Sequence, residues 1–189
     1  MQIWIKTLVT YCIERGYTTA EEAPWLCYAL EKKIISFVIM IPFLLVGIHV
    51  SSLSSALAFF IGFYVLRTRI SGLHSNKIWK CCVTSLLSEI LFLGVLANHL
   101  NKRILIYLTL FSGMVIYMFA PFKHPNMNFS DEEVFACAIS AKIRLTLLFL
   151  ILGSLVWMQC EQAATGLALG IVMAAVLLAI AYINKKGEF

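Results

Sequence analysis

Charge is what this sequence has least of. Asp, Glu, Lys and Arg make up 13% of its 189 residues, against roughly 25% in an ordinary soluble domain. That shortage, with 61% hydrophobic residues, excludes a water-soluble globule. Together with a mean hydropathy of +0.88 and several long runs without charge, it points to an all-α polytopic membrane protein. No stretch is polar enough for a separate soluble domain, so residues 1–189 read as one embedded domain. Several motifs are also missing. There is no His-Glu-x-x-His, no Gly-x-Ser-x-Gly and no phosphate-binding glycine loop. None of the six cysteines is paired at zinc-ligand spacing. We therefore expect reduced thiols, no metal and no cofactor. The net charge of +5 is spread over membrane-proximal positions, the ordinary state of a cytoplasmic face, and gives no case for nucleic acid. A signal peptide is not expected either, because Lys6 and Glu14 interrupt the first apolar stretch.

What is present is a series of apolar helices. Met1 to Arg15 carries Ile5, Leu8, Val9 and Cys12 at helical spacing, the pattern of an amphipathic interfacial helix, with Gly16 as its C-cap. A second helix starts over Thr18 to Glu22, with Pro24 in its first turn. Residues 1–33 thus form the interfacial part. Residues 34–183 read as six transmembrane helices: Ile34–Val50, Leu53–Leu66, Cys81–Ala97, Ile104–Ala120, Leu145–Cys160 and Ala163–Ile183. Pro42 is expected to kink the first. The second is short, so either Ser51 to Ser55 extend it or Arg67 snorkels from below the surface. Ser130 and Glu133 have capping-box spacing at the head of the helix that becomes the fifth span. Residues 184–189 are a tail.

The basic residues orient this arrangement. With both termini cytoplasmic, Lys102 and Arg103 are the only two of the fifteen Lys and Arg residues to fall outside. The same orientation puts His74, Cys81 and Lys123 on the reducing, cytoplasmic side, and His49 and His99 on the other.

One polar, cationic island, Arg67 to Cys82, pairs an imidazole with a thiol. A thiolate is the nucleophilic form of cysteine, and a nearby imidazole or cationic site favours it. Cys81 has Lys77 and Lys80 beside it in sequence and sits early in a helix, whose N-terminus also favours an anion. His74 lies seven residues earlier. In an unbroken helix that spacing means about 10 Å along the axis, whereas proton transfer needs about 3 Å. A working pair therefore requires the chain to bend near Ser75 and Asn76, and Gly72 supplies backbone freedom for such a turn. The residues alone leave alternatives open. Cys82 is a rival nucleophile and His124 a rival base, and the pair also reads as a loop histidine and a packing thiol. Glu89, alone and charged within the third span, has no sequence-level account.

The run Arg67-x4-Gly72-Leu73-His74-x6-Cys81 resembles the signature of the accessory gene regulator B (AgrB) family of membrane peptidases, and Ala120 to Asn126 resembles that family's second cytoplasmic motif. The chain departs from the family's pattern at Leu73 and Ser75, where small residues are frequent, and in having a second thiol at Cys82. Neither change removes a catalytic group. Length and six-span layout agree, so the resemblance covers the chain.

The resemblance implies a cysteine endopeptidase of the bacterial cell membrane, active at the cytoplasmic face, that works in quorum sensing. Its substrate would be a short propeptide with an amphipathic leader and an acidic C-terminal tail. Cys81 would be the nucleophile and His74 its base. The tail would leave, an acyl-enzyme thioester would form, and a substrate Cys or Ser would close a thiolactone or lactone ring. A homodimer is also implied. Arg67 would hold the tail or the oxyanion, or serve as a snorkelling anchor. Lys123 would bind the tail, or be an ordinary cytoplasmic-side charge. Asn76 is either an oxyanion donor or a helix cap. The alternative is a non-catalytic membrane scaffold or small transporter subunit.

Overall fold

A computed structural model describes residues 2–70, 78–122 and 130–183. Among them all regular structure is helical: α1 (Gln2–Glu14), α2 (Ala23–Val50), α3 (Leu53–Ile70), α4 (Ile78–Glu89), a π segment (Ile90–Leu96), α5 (Ala97–His99), α6 (Lys102–Phe119), α7 (Asp131–Trp157) and α8 (Glu161–Ile183). Contacts divide the chain into two units, residues 1–42 and 43–189, and the division falls at Pro42 inside α2.

In the first unit α1 ends as its sequence predicts. Gly16 has φ +73°, its N–H donates to Ile13 O at 3.0 Å, and Tyr17 N–H donates to Cys12 O at 2.9 Å. This is a Schellman motif, and it needs a left-handed residue that only glycine supplies without cost. Ile5 and Val9 are buried, whereas Leu8 is exposed and joins Trp4 and Tyr11 in an outward apolar stripe. The packed face is thus narrower than the sequence suggests. The second helix starts later than Thr18. Thr18 to Glu22 form its entry turn, in which Glu22 Oε2 accepts from Thr18 Oγ1 at 3.0 Å and Thr19 N–H at 3.3 Å. The Thr19 N–H, then the Thr18 hydroxyl, hold the Glu22 carboxyl below the usual carboxylate range.

The second unit is built around α8. Its length is apolar and almost wholly buried from Gly166 to Leu178, so it packs on all sides. α3 lies beside it and runs in the same direction. Ser54 Oγ donates to Gln162 Oε1 at 3.3 Å, and Gly166 and Gly170 face the backbone at Ser55 and Phe59. A Cβ on Gly170 would sit 2.5 Å from Phe59 O, so the absent side chains set how closely the two helices approach. α6 runs the same way, tied at its start by Lys102 to Glu161 (2.6 Å) and at its end by Tyr182, whose hydroxyl donates to Phe119 O at 2.8 Å. α7 runs the opposite way, as the alternation of spans requires. Phe43, Phe59, Phe63 and Phe92 fill the space between α2, α3 and the π segment with stacked and tilted rings.

Among the described residues four helices, α3, α6, α7 and α8, are long and apolar enough to cross a membrane. The described apolar stretches on α2 and on α4 to α5, Met40–Val50 and Val83–His99, are shorter. α3 begins at Leu53 under a Ser52 cap (Ser55 N–H to Ser52 Oγ, 3.3 Å) and extends past its apolar run, so that Arg67 and Arg69 lie in its last turn. The capping box at α7 is present, with Glu133 N–H donating to Ser130 Oγ (3.2 Å) and Ser130 N–H to Glu133 Oε2 (2.9 Å). The π segment has no sequence signature and was not expected. Within it, Ala97 N–H reaches back five residues to Phe92 O, and Asn98 Nδ2 donates to Gly94 O at 2.9 Å.

Candidate active site

The parallel run of α3, α6 and α8 gives their bundle two ends. At one, the far end, stand the starts of these helices with Ser51, Ser52, Asn98, Lys102, Glu161 and Gln162 around a shallow polar cleft. His49 and His99 sit in the last turns of α2 and α5, which finish at this same end. At the other end α3, α6 and α8 finish.

That other end joins the described beginnings of the two segments singled out in the sequence. Ile70, the last residue of α3, is fully buried, and its carbonyl accepts a hydrogen bond from Phe122 N–H at 3.0 Å. Pro121 cannot continue α6, so the chain leaves the helix at Ala120 in extended geometry and turns Phe122 onto α3. Phe122 is buried and meets the Tyr182 ring edge-on at 5.0 Å. Tyr182 therefore holds both the end of α6 and the residue beyond it. The Arg67–Cys82 island starts one turn before Ile70, and the segment containing Lys123 starts one residue after Phe122.

Cations gather at this end. Arg67 and Arg69 complete α3, where the negative end of the helix dipole favours them. Arg67 is half-buried and Arg69 exposed. Arg144 of α7 donates through Nη1 to Val65 O (2.9 Å) and Thr68 Oγ1 (2.6 Å), pinning the last turns of α3. Lys142 lies over the Tyr117 ring, 4.6 Å from its centroid. Sequence reasoning treated Arg144 and Lys142 only as topology markers and missed Tyr182. A charge set within an apolar helix was the available signal for Arg144.

Cys81 and Cys82 lie near the start of α4, described as backbone only. Gly72, His74, Asn76, Lys123 and His124 lie outside the described residues. Of the predicted site residues, then, Arg67 is described in full and Cys81 by its helix. Cys12, Cys27, Cys137 and Cys160 are free thiols. Among the described residues no three His, Cys, Asp or Glu side chains are grouped to hold a metal.

With described residues whose regular structure is all helical, four long apolar helices among them and apolar side chains turned outward along α6 and α7, this is a membrane protein. No curated protein and no solved structure gives a significant match to it. The family, however, is defined: the model for Accessory gene regulator B matches residues 5–180, and the chain belongs to that AgrB family.

Proposed function

We propose that this protein is a membrane cysteine endopeptidase that trims and cyclises a quorum-sensing propeptide. Membership in the AgrB family supports the class of reaction. The observation that carries the reading is the hydrogen bond from Phe122 N–H to Ile70 O, because it joins the roots of both family motifs at one end of the bundle. On this reading the chain crosses the membrane six times, with both termini and the Ile70 end cytoplasmic. α1 lies in the interface, its exposed Trp4, Leu8 and Tyr11 turned to lipid.

The substrate carries an amphipathic leader and an acidic tail. The Cys81 sulfur attacks the carbonyl carbon of the peptide bond preceding the tail. The sulfur–carbon bond forms, the carbon–nitrogen bond breaks, and the His74 imidazolium gives its proton to the leaving amine. A substrate thiol or hydroxyl then attacks the thioester, passes its proton to His74, and closes the ring as the Cys81 thiolate leaves. Transfer of this kind needs water kept from the thioester. Arg67 and Lys123 attract the acidic tail, with the Arg144-braced end of α3 as their support. Gly72 and Asn76 shape the bend between base and nucleophile. The working unit is a homodimer.

The test is cleavage of a synthetic propeptide in proteoliposomes. Cys81→Ala and His74→Ala each lower the rate by more than about 1,000-fold, the scale at which a nucleophile or its base acts, while Cys82→Ala leaves it unchanged. Full activity in Cys81→Ala would overturn the assignment. One observation favours a second reading, a non-catalytic transporter component: Glu89 is an ionisable residue buried within a candidate bundle. That reading predicts indifference to Cys81→Ala.

A further inference from the structure

The helix that carries Cys81 buries an unexpected residue. From Val83 to Ile90 every position is exposed or half-buried except Glu89, which is 0% exposed. A carboxyl is among the costliest groups to bury in a membrane interior, where a leucine would hold by apolar fit alone. Neither Glu89 oxygen has a hydrogen-bond partner among the described residues. The side chain occupies a notch instead. A Cβ on Gly47 of α2 would lie 2.5 Å from Glu89 Oε1 and 2.9 Å from Ala56 Cβ of α3. Three helices thus meet at this carboxyl, and the bare backbone of Gly47 makes the room.

A second, independent feature begins at the next residue. The π segment Ile90–Leu96 widens the helix and changes the rotation of everything before it relative to everything after. Its Phe92 and Leu93 are buried in the core, so the π segment is fixed and α4 leads away from it. Cys81 lies eight residues before Glu89, about 12 Å along the axis. A turn of α4 about this anchor would carry Cys81 with it.

We propose that Glu89 is a positioning residue: seated in the Gly47 notch, it sets the rotation and depth of α4, and so how Cys81 is presented at the Ile70 end of the bundle. It touches neither substrate nor reacting atoms, and it acts by shape. The proposal rests on the reading of Cys81 as the nucleophile.

The experiment uses the full chain in proteoliposomes and two readouts. One is the alkylation rate of Cys81 by a maleimide in a chain whose five other cysteines are serine. The other is kcat and KM for a synthetic peptide with an amphipathic leader, an internal cysteine and an acidic tail. Gly47→Ala is expected to change the alkylation rate and lower kcat by at least about tenfold, the scale of a misplaced reacting group, with KM nearly constant. Glu89→Ala does the same, and Glu89→Gln, which keeps the shape, retains both values. Adding Glu89→Ala to Gly47→Ala costs little further, because Gly47→Ala has already unseated the carboxyl. Should Gly47→Ala fail to insert, the contrast between Glu89→Ala and Glu89→Gln decides alone. Equal behaviour of those two variants, or independent multiplying effects of Gly47→Ala and Glu89→Ala, would overturn the proposal. The alkylation rate reports the seating of α4 whether or not the chain cleaves peptide. A failed cleavage assay with Cys81 still sensitive to Glu89→Ala therefore rejects the peptidase reading and not the anchor.

Discussion

Single residues carry much of the local geometry here. Gly16 and Gln159 close the same kind of helix end in two ways. Both have positive φ, +73° and +58°, and both are followed by the long-range bond of a Schellman motif: Tyr17 N–H to Cys12 O and Cys160 N–H to Leu155 O, each 2.9 Å. Gly16 has no Cβ to strain, but Gln159 has one. Gln159→Gly should therefore stabilise the protein by roughly 1 kcal/mol, the left-handed penalty of an ordinary L-residue, read as a raised unfolding midpoint in detergent. A lowered midpoint would mean that the Gln159 side chain contributes more than its backbone costs. The glycine was legible in the sequence and the glutamine was not, because nothing in its type announces a left-handed turn. Glu89 stands between these cases. Its charge marked it as anomalous, but the notch that accepts it is formed by Gly47, 42 positions away in sequence, and so is invisible to local pattern.

At the scale of elements, one cap, one helix stop and three long apolar helices were readable because their causes are local. The Ser130–Glu133 box, the stop at Pro121 and the apolar lengths of α6, α7 and α8 follow from adjacent residues. The forward extension of α3 through Arg67 to Ile70 was less legible, since hydropathy alone ends the run at Leu66. It is held by tertiary bonds from Arg144 and by the Ile70–Phe122 contact. The π segment was not legible at all. The contact of α3 with α8 makes the clearest prediction at this scale. Gly170→Ala forces a methyl against the Phe59 carbonyl, which is backbone and cannot swing away. It should lower stability by about 1–3 kcal/mol, as overpacking does, read as a lowered melting temperature of the purified protein. An unchanged melting temperature would show that α3 and α8 separate without cost.

For the whole molecule, α3, α6 and α8 run in parallel, α7 runs against them, and Arg67, Arg69 and Arg144 gather where α3 finishes. A reporter fused after residue 74 should score as cytoplasmic and one after Asn101 as extracytoplasmic; the reverse result would invert the proposed orientation and remove the substrate argument. Sequence motifs nominate His74 and Cys81 for the candidate site, whereas the Ile70–Phe122 bond at the starts of the two motif segments, and the bracing by Tyr182 and Arg144, are products of folding over distances of 50 residues and more. The central claim is covalent chemistry at Cys81, and intact-protein mass spectrometry tests it most directly. Incubated with a propeptide whose internal cysteine is replaced by alanine, the wild-type chain should gain the mass of the leader and signal segment. That adduct should be released by hydroxylamine and be absent in Cys81→Ala. Cleavage of the same peptide with no adduct, or an adduct that survives in Cys81→Ala, would contradict the account.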